Sequence, residues 1–144
     1  MKYYMAYGSN LNMSQMAFRC PDAKPAGVAQ LDNHELVFRR GVLTVEPKKG
    51  SFVPVAIWEI SESDEKNLDR YEGFPRLYYK KFFPMMLKDG EIGEVMVYIM
   101  TDGFPISEPS FAYLRTCSQG YKDFGFHTAP LMKAYRKSKK GGDR

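Results

Sequence analysis

Two short segments carry most of the chemistry this sequence can offer. Tyr7-Gly8-Ser9-Asn10 follows an aromatic-rich run beginning at Lys2. Gly and Asn tolerate left-handed backbone, so successive N–H groups there can face one concavity and bind a carboxylate or another anion. The competing explanation is an ordinary turn from a strand into a helix. The second segment is Leu68-Asp69-Arg70-Tyr71-Glu72-Gly73. The pattern puts Glu72 in the last turn of a helix, where the dipole disfavours a carboxylate by roughly 0.3–1 kcal/mol. Asp69, three residues earlier, adds like charge, with Arg70 or Arg76 as counterweights. A carboxylate kept at such a position is a candidate general base. Exposed glutamates at helix ends are common, so Glu72 alone is a weak signal.

Other catalytic chemistries find little support. His34 and His127 lie far apart, and His34 falls in the polar turn Asp32-Asn33-His34. Cys20 and Cys117 are isolated from each other and sit in no recognisable nucleophile setting. There is no GxxxxGK[ST] and no GxGxxG. Histidine triads, zinc and thiol catalysis are therefore not expected, and any chemistry must run on carboxylates, hydroxyls and backbone amides.

The elements that must position these residues can be read in order. A first strand over residues 2–7 enters the Gly8-Ser9-Asn10 turn. Asn12 or Ser14 then caps a short helix through Phe18, ended before Pro21. Strand-like runs follow at 27–31, 35–39, 42–45 and 53–60, with a turn expected from Pro47 to Gly50. Ser61-Glu62-Ser63-Asp64 opens a helix that Gly73 and Pro75 end. A hairpin over 77–87 and 92–100 turns at Asp89-Gly90. Ser107-Glu108-Pro109 starts a helix carrying Phe111, Leu114 and Ser118 on one face, and Thr128-Ala129-Pro130 starts the last one. Trp58 reads as core, and the aromatics Tyr78, Tyr79, Phe82 and Phe83 could line a substrate entrance but read mostly as strand packing. Many strands with few helices and no βαβ alternation predict an α+β fold with a closed or strongly curled sheet.

The chain has 144 residues and 44% apolar content, which suits one domain with its own core and excludes a disordered chain. No apolar stretch approaches the ~20 residues of a membrane helix. The first residues are too short and polar a run for a signal peptide, so a cytoplasmic protein is expected. The formal charge of +4 comes from the end of the chain. Lys133, Arg136, Lys137, Lys139, Lys140 and Arg144 stand there against Asp143 alone, leaving residues 1–132 close to neutral. That divides the chain into a domain over 1–132 and a solvated basic tail over 133–144. A nucleic-acid partner is disfavoured, because the charge is not spread over a folded face.

Taken together, Tyr7-Gly8-Ser9-Asn10-Leu11 and Leu68-Asp69-Arg70-Tyr71-Glu72-Gly73 resemble the γ-glutamylcyclotransferase-like (AIG2-like) superfamily. Glu35-Leu36-Val37-Phe38 and Val55-Ala56-Ile57-Trp58-Glu59-Ile60 fit its strands, and the likeness runs from about Lys2 to Tyr121. The resemblance implies a small mixed β-barrel with flanking helices. It implies a cofactor-free enzyme that takes a small γ-glutamyl amide and releases 5-oxoproline and an amine. Glu72 would be its general base and acid. Tyr7, Gly8, Ser9, Asn10 and Leu11 would line the substrate site, and Tyr113, in Pro109-Ser110-Phe111-Ala112-Tyr113, would contact substrate. Two rivals belong to other classes: a non-catalytic carboxylate-binding module of the same fold, and an adaptor for acidic partners working through the tail. The amine released and the oligomeric state have no readable code.

Overall fold

A computed structural model describes residues 2–87 and 90–139 of the chain. Its order is β1 (Lys2–Ala6), a 3-10 turn (Ser9–Leu11), α1 (Met13–Arg19), β2 (Lys24–Arg39), β3 (Val42–Ile60), α2 (Glu62–Glu72), β4 (Tyr78–Met86), β5 (Ile92–Met100), α3 (Phe111–Asp123) and α4 (Ala129–Lys139). One mixed sheet runs β2-β3-β1-β5-β4. β1 pairs antiparallel with β3 and parallel with β5.

The fold is the expected α+β, with one correction to its shape. Among the described residues β2 and β4 are edges, so the sheet is open and no barrel closes. The four separate strand runs between residues 27 and 60 form two very long strands, and the turn expected at Pro47 to Gly50 is absent because Pro47 pairs across to His34. Asn33 and Gly50 both take left-handed angles (φ 59° and 86°), and Gly50 donates its N–H to Asn33 Oδ1 at 3.1 Å. The two strands therefore bend together without reversing. The bend brings the start of β3 over β5, where Thr44 Oγ1 accepts the Met100 N–H at 3.0 Å.

The helices follow their sequence signals closely. Asn12 caps α1 by accepting from Gln15 N–H at 3.0 Å. Ser61 and Asp64 form a reciprocal capping box on α2, and Gly73 ends that helix at φ 65°, a conformation costly for any residue with a Cβ. α3 starts later than expected: Ser110 is its cap, so its buried face is Leu114, Cys117 and Tyr121 rather than one led by Phe111, which is exposed. α4 covers residues 129 to 139, burying Leu131, Ala134 and Ser138, and Lys137 reaches Glu35 at 3.1 Å. The proposed boundary at 132/133 thus falls inside a packed helix. Residues 140–144 and Asp89 lie outside the described residues. No described helix is long and apolar enough to cross a membrane.

Candidate active site

β1, the 3-10 turn, the start of β3, the end of α2, β4, β5 and α3 converge on a cavity of about 210 Å³. Five of the expected site residues, Tyr7, Gly8, Ser9, Asn10 and Tyr113, line it together with Glu72. Leu11 does not. It is fully buried behind the turn and meets Gly120 of α3, where even an added Cβ would come within 2.6 Å of Leu11 and of the Asn12 backbone nitrogen. The last residue of a 3-10 turn points inward here, so Leu11 fastens the turn to α3 rather than facing the cavity.

Glu72 reaches the cavity because of helical spacing. Asp64, Leu68 and Glu72 lie four apart on one face of α2, and the first two are completely buried. Burial pushes the Glu72 carboxyl up to about 8, and the positive charge of Arg19 draws it partly back. Asp69 is not the cause expected from sequence. It turns outward, accepting from the Tyr98 hydroxyl at 2.6 Å and pairing with Lys80 Nζ at 3.0 Å. The counterweight is also different: Arg70 hydrogen-bonds Asn67, whereas Arg19 lies over the Tyr71 ring, 3.4 Å from its centroid. Among the described residues no hydrogen bond or ion pair holds Glu72.

Gly8 leaves room beside Leu43 and Tyr113. Its φ is −132°, outside the left-handed region, but a Cβ there would sit 3.3 Å from Leu43 Cδ1 and 3.5 Å from the Tyr113 hydroxyl, inside the cavity. The Ser9 hydroxyl pairs with that of Tyr71 at 2.9 Å. Asn10 is held on three sides. Its Nδ2 donates to the Tyr4 hydroxyl at 2.9 Å, its Oδ1 accepts from Arg19, and its carbonyl accepts from Trp58 Nε1 at 3.1 Å.

Sequence reasoning missed most of the wall. Tyr4, Tyr71, Tyr78 and Tyr98 join Tyr7 and Tyr113, so six tyrosines surround the acid, with Val42, Leu43 and Leu77 between them. Leu43 is the point they share. Its carbonyl accepts from Tyr78 at 2.7 Å and its N–H donates to Tyr113 at 3.1 Å. Tyr7 donates to the Tyr98 carbonyl at 2.7 Å. Burial raises the phenols of Tyr4, Tyr7, Tyr78, Tyr98 and Tyr113, so these act as neutral hydrogen-bonding groups. The available signal was tyrosine content, ten in this chain, with Tyr4 and Tyr71 inside or beside the two motifs. Among the described residues no three His, Cys, Asp or Glu gather to hold a metal.

The arrangement is a half-open pocket walled by neutral hydroxyls and apolar side chains, with one unpaired acid and the Gly8–Asn10 turn in its lining. The family model described as gamma-glutamyl cyclotransferase, AIG2-like matches residues 4–116, which include both motifs. Gamma-glutamylcyclotransferases of Mus musculus and Homo sapiens are each 27% identical over 134 residues, covering 85% of this chain and 71% of theirs. A solved gamma-glutamyl cyclotransferase superposes with a TM-score of 0.75 at 25% identity, covering 92% of this chain and 85% of that one. YkqA from Bacillus subtilis shares the fold at 18% identity, with a TM-score of 0.72 over 96% of this chain and 54% of its own.

Proposed function

Since the chain belongs to the gamma-glutamyl cyclotransferase, AIG2-like family, we propose that it converts a γ-glutamyl amide into 5-oxoproline and a free amine, with Glu72 moving the proton. The substrate supplies its own nucleophile. Its α-amine attacks its γ-carbonyl carbon, a five-membered ring closes, and the C–N bond to the leaving amine breaks. Intramolecular attack in a held conformer is worth ~7–11 kcal/mol over a bimolecular reaction, so no serine, cysteine or metal nucleophile is required.

The observation that carries this reading is Glu72, unpaired, in the wall of a half-open pocket. Proton transfer from an α-ammonium (pKa ~8) to an ordinary glutamate (~4.3) is uphill by roughly 5 kcal/mol. A carboxyl pushed up to about 8 nearly removes that gap. Glu72 takes a proton from the amine and delivers one to the departing nitrogen. The first N–H groups of a 3-10 turn have no partner within it, so the Gly8–Asn10 amides supply donors for the substrate's carboxylate or for the developing oxyanion.

The test is to incubate the purified protein with γ-glutamyl dipeptides and γ-glutamyl amines and measure 5-oxoproline by mass spectrometry. Product that disappears in Glu72→Gln supports the assignment. Ligand binding without product from any member would favour the non-catalytic binding module, and full activity in Glu72→Gln would remove the proposed base.

A further inference from the structure

The six tyrosines of the cavity are unequal once their protons are followed. Tyr7, Tyr78 and Tyr98 each donate outward, to the carbonyls of Tyr98 and Leu43 and to Asp69 Oδ1. Tyr113 accepts from the Leu43 N–H. Tyr71 and Ser9 share one bond. Tyr4, like Tyr113, only accepts, and among the described residues no hydrogen bond takes its own proton, but its donor is the side-chain amide of Asn10, which is itself bonded to Arg19.

The direction of that bond is fixed by Arg19. A guanidinium can only donate, so the Asn10 atom facing it must be the oxygen, which leaves the amide nitrogen for Tyr4. The result is a chain from the Arg19 cation through the Asn10 amide to the Tyr4 hydroxyl, every bond pointing the same way. Such chains polarise each successive donor. Tyr4 is 3% exposed and Asn10 2%, so solvent screens the chain poorly. None of the cavity's lining residues is Lys, Arg or His. An anionic group entering it therefore meets no side-chain cation, and Tyr4 is the lining side chain whose hydroxyl has a cation behind it.

Building on the proposed cyclotransferase reading, we infer that Tyr4 receives the α-carboxylate of the γ-glutamyl group, with Asn10 and Arg19 acting as positioning residues that lend it charge from outside the cavity. The Gly8–Asn10 amides are then left for the γ-carbonyl oxygen, and the amine lies between the two, beside Glu72.

The ring product and its decarboxylated counterpart separate this role from general damage. 5-Oxoproline and 2-pyrrolidinone differ only by the carboxylate, and their affinities are measured by calorimetry on the full chain. The expected result is at least tenfold tighter binding of 5-oxoproline by the unaltered protein. Tyr4→Phe should lose that preference while binding 2-pyrrolidinone as before. Asn10→Asp, which reverses the bond so that Tyr4 must donate to residue 10, should lose it equally. Arg19→Gln should reduce the preference about threefold, and Arg19→Lys should restore part of it. In turnover, Tyr4→Phe should raise KM with kcat within a few fold. A Tyr4→Phe protein that keeps its preference, loses affinity for both rings alike, or shows a fallen kcat at unchanged KM overturns the assignment, as does an unaltered protein without the preference. Because these affinities need no turnover, failure of the γ-glutamyl panel to give product would sink the enzymatic reading separately.

Discussion

Asp69 and Glu72 leave the same helix three residues apart and enter opposite environments. Asp69 lies on the flank of α2, where Lys80 and the Tyr98 hydroxyl hold it, and Lys80 extends the contact to Glu65, which Lys2 also meets. Glu72 continues the inward stripe of Asp64 and Leu68 and reaches the cavity without a hydrogen-bonding partner among the described residues. The Lys2 and Lys80 contacts hold the Glu65 carboxyl below the usual range against the opposing effect of its burial. At Glu72 burial has no such opponent beyond Arg19, and the carboxyl rises to about 8. Two acids of one helix thus divide the work. The paired one fastens α2 to β4 and β5, and the unpaired one stands in the cavity wall, where the proposed reaction needs a proton carrier.

The sharpest way to break this division is to neutralise each acid in turn. Glu72→Gln should lower kcat by about 10²–10⁴-fold with little change in ligand affinity, as expected for loss of a general base. Asp69→Ala should instead destabilise the fold by about 2–3 kcal/mol in denaturant titrations, from the loss of charged hydrogen bonds, while kcat falls less than tenfold. If Asp69→Ala cost more turnover than Glu72→Gln, the roles would be reversed. Gly8→Ala probes the cavity itself. The methyl would press on Leu43 and the Tyr113 hydroxyl, so kcat/KM should drop about tenfold with an almost unchanged melting temperature.

How far the sequence reveals this division depends on distance along the chain. Local signals were legible: Asn12 and the Ser61–Asp64 box as caps, Gly73 as the stop that leaves Glu72 in the last turn, and the two motifs that meet in the cavity. Long-range pairing was not. Pro47 to Gly50 carries turn residues, and only its pairing with the strand opposite shows that Asn33 and Gly50 absorb a shared bend. Arg19 follows the same rule. It lies 53 residues before Glu72, and neither its charge on that acid nor its bond to Asn10 leaves a local trace. Asp69 misled because i to i+3 spacing predicts repulsion, while partners from β4 and β5 turn it away. Leu11 belongs to a motif that lines the cavity, yet its position in the 3-10 turn commits it to α3.

The smallest effect separates the two acids most directly, because it reads stability alone. Glu72 holds its proton up to about 8 in the folded protein, well above its ordinary 4.5. Between those values the folded chain keeps a proton that the unfolded chain gives up. The unfolded state therefore binds fewer protons, and this group's contribution to stability is present below pH 4.5 and declines as pH rises towards 8. Glutamine has no proton to lose. Glu72→Gln should match the unaltered protein near pH 4 and exceed it progressively above, by about 1 kcal/mol at pH 8–9 once the open mouth of the cavity is allowed for. Glu65 has the opposite sign, since its paired carboxyl is held low and stabilises the fold more as pH rises. Glu65→Gln should therefore be less stable than the unaltered protein by a constant amount above pH 4.5, while the Glu72→Gln difference grows there. Melting curves of both variants from pH 4 to 9 check this, and parallel lines for the two would mean that Glu72 is not a desolvated acid.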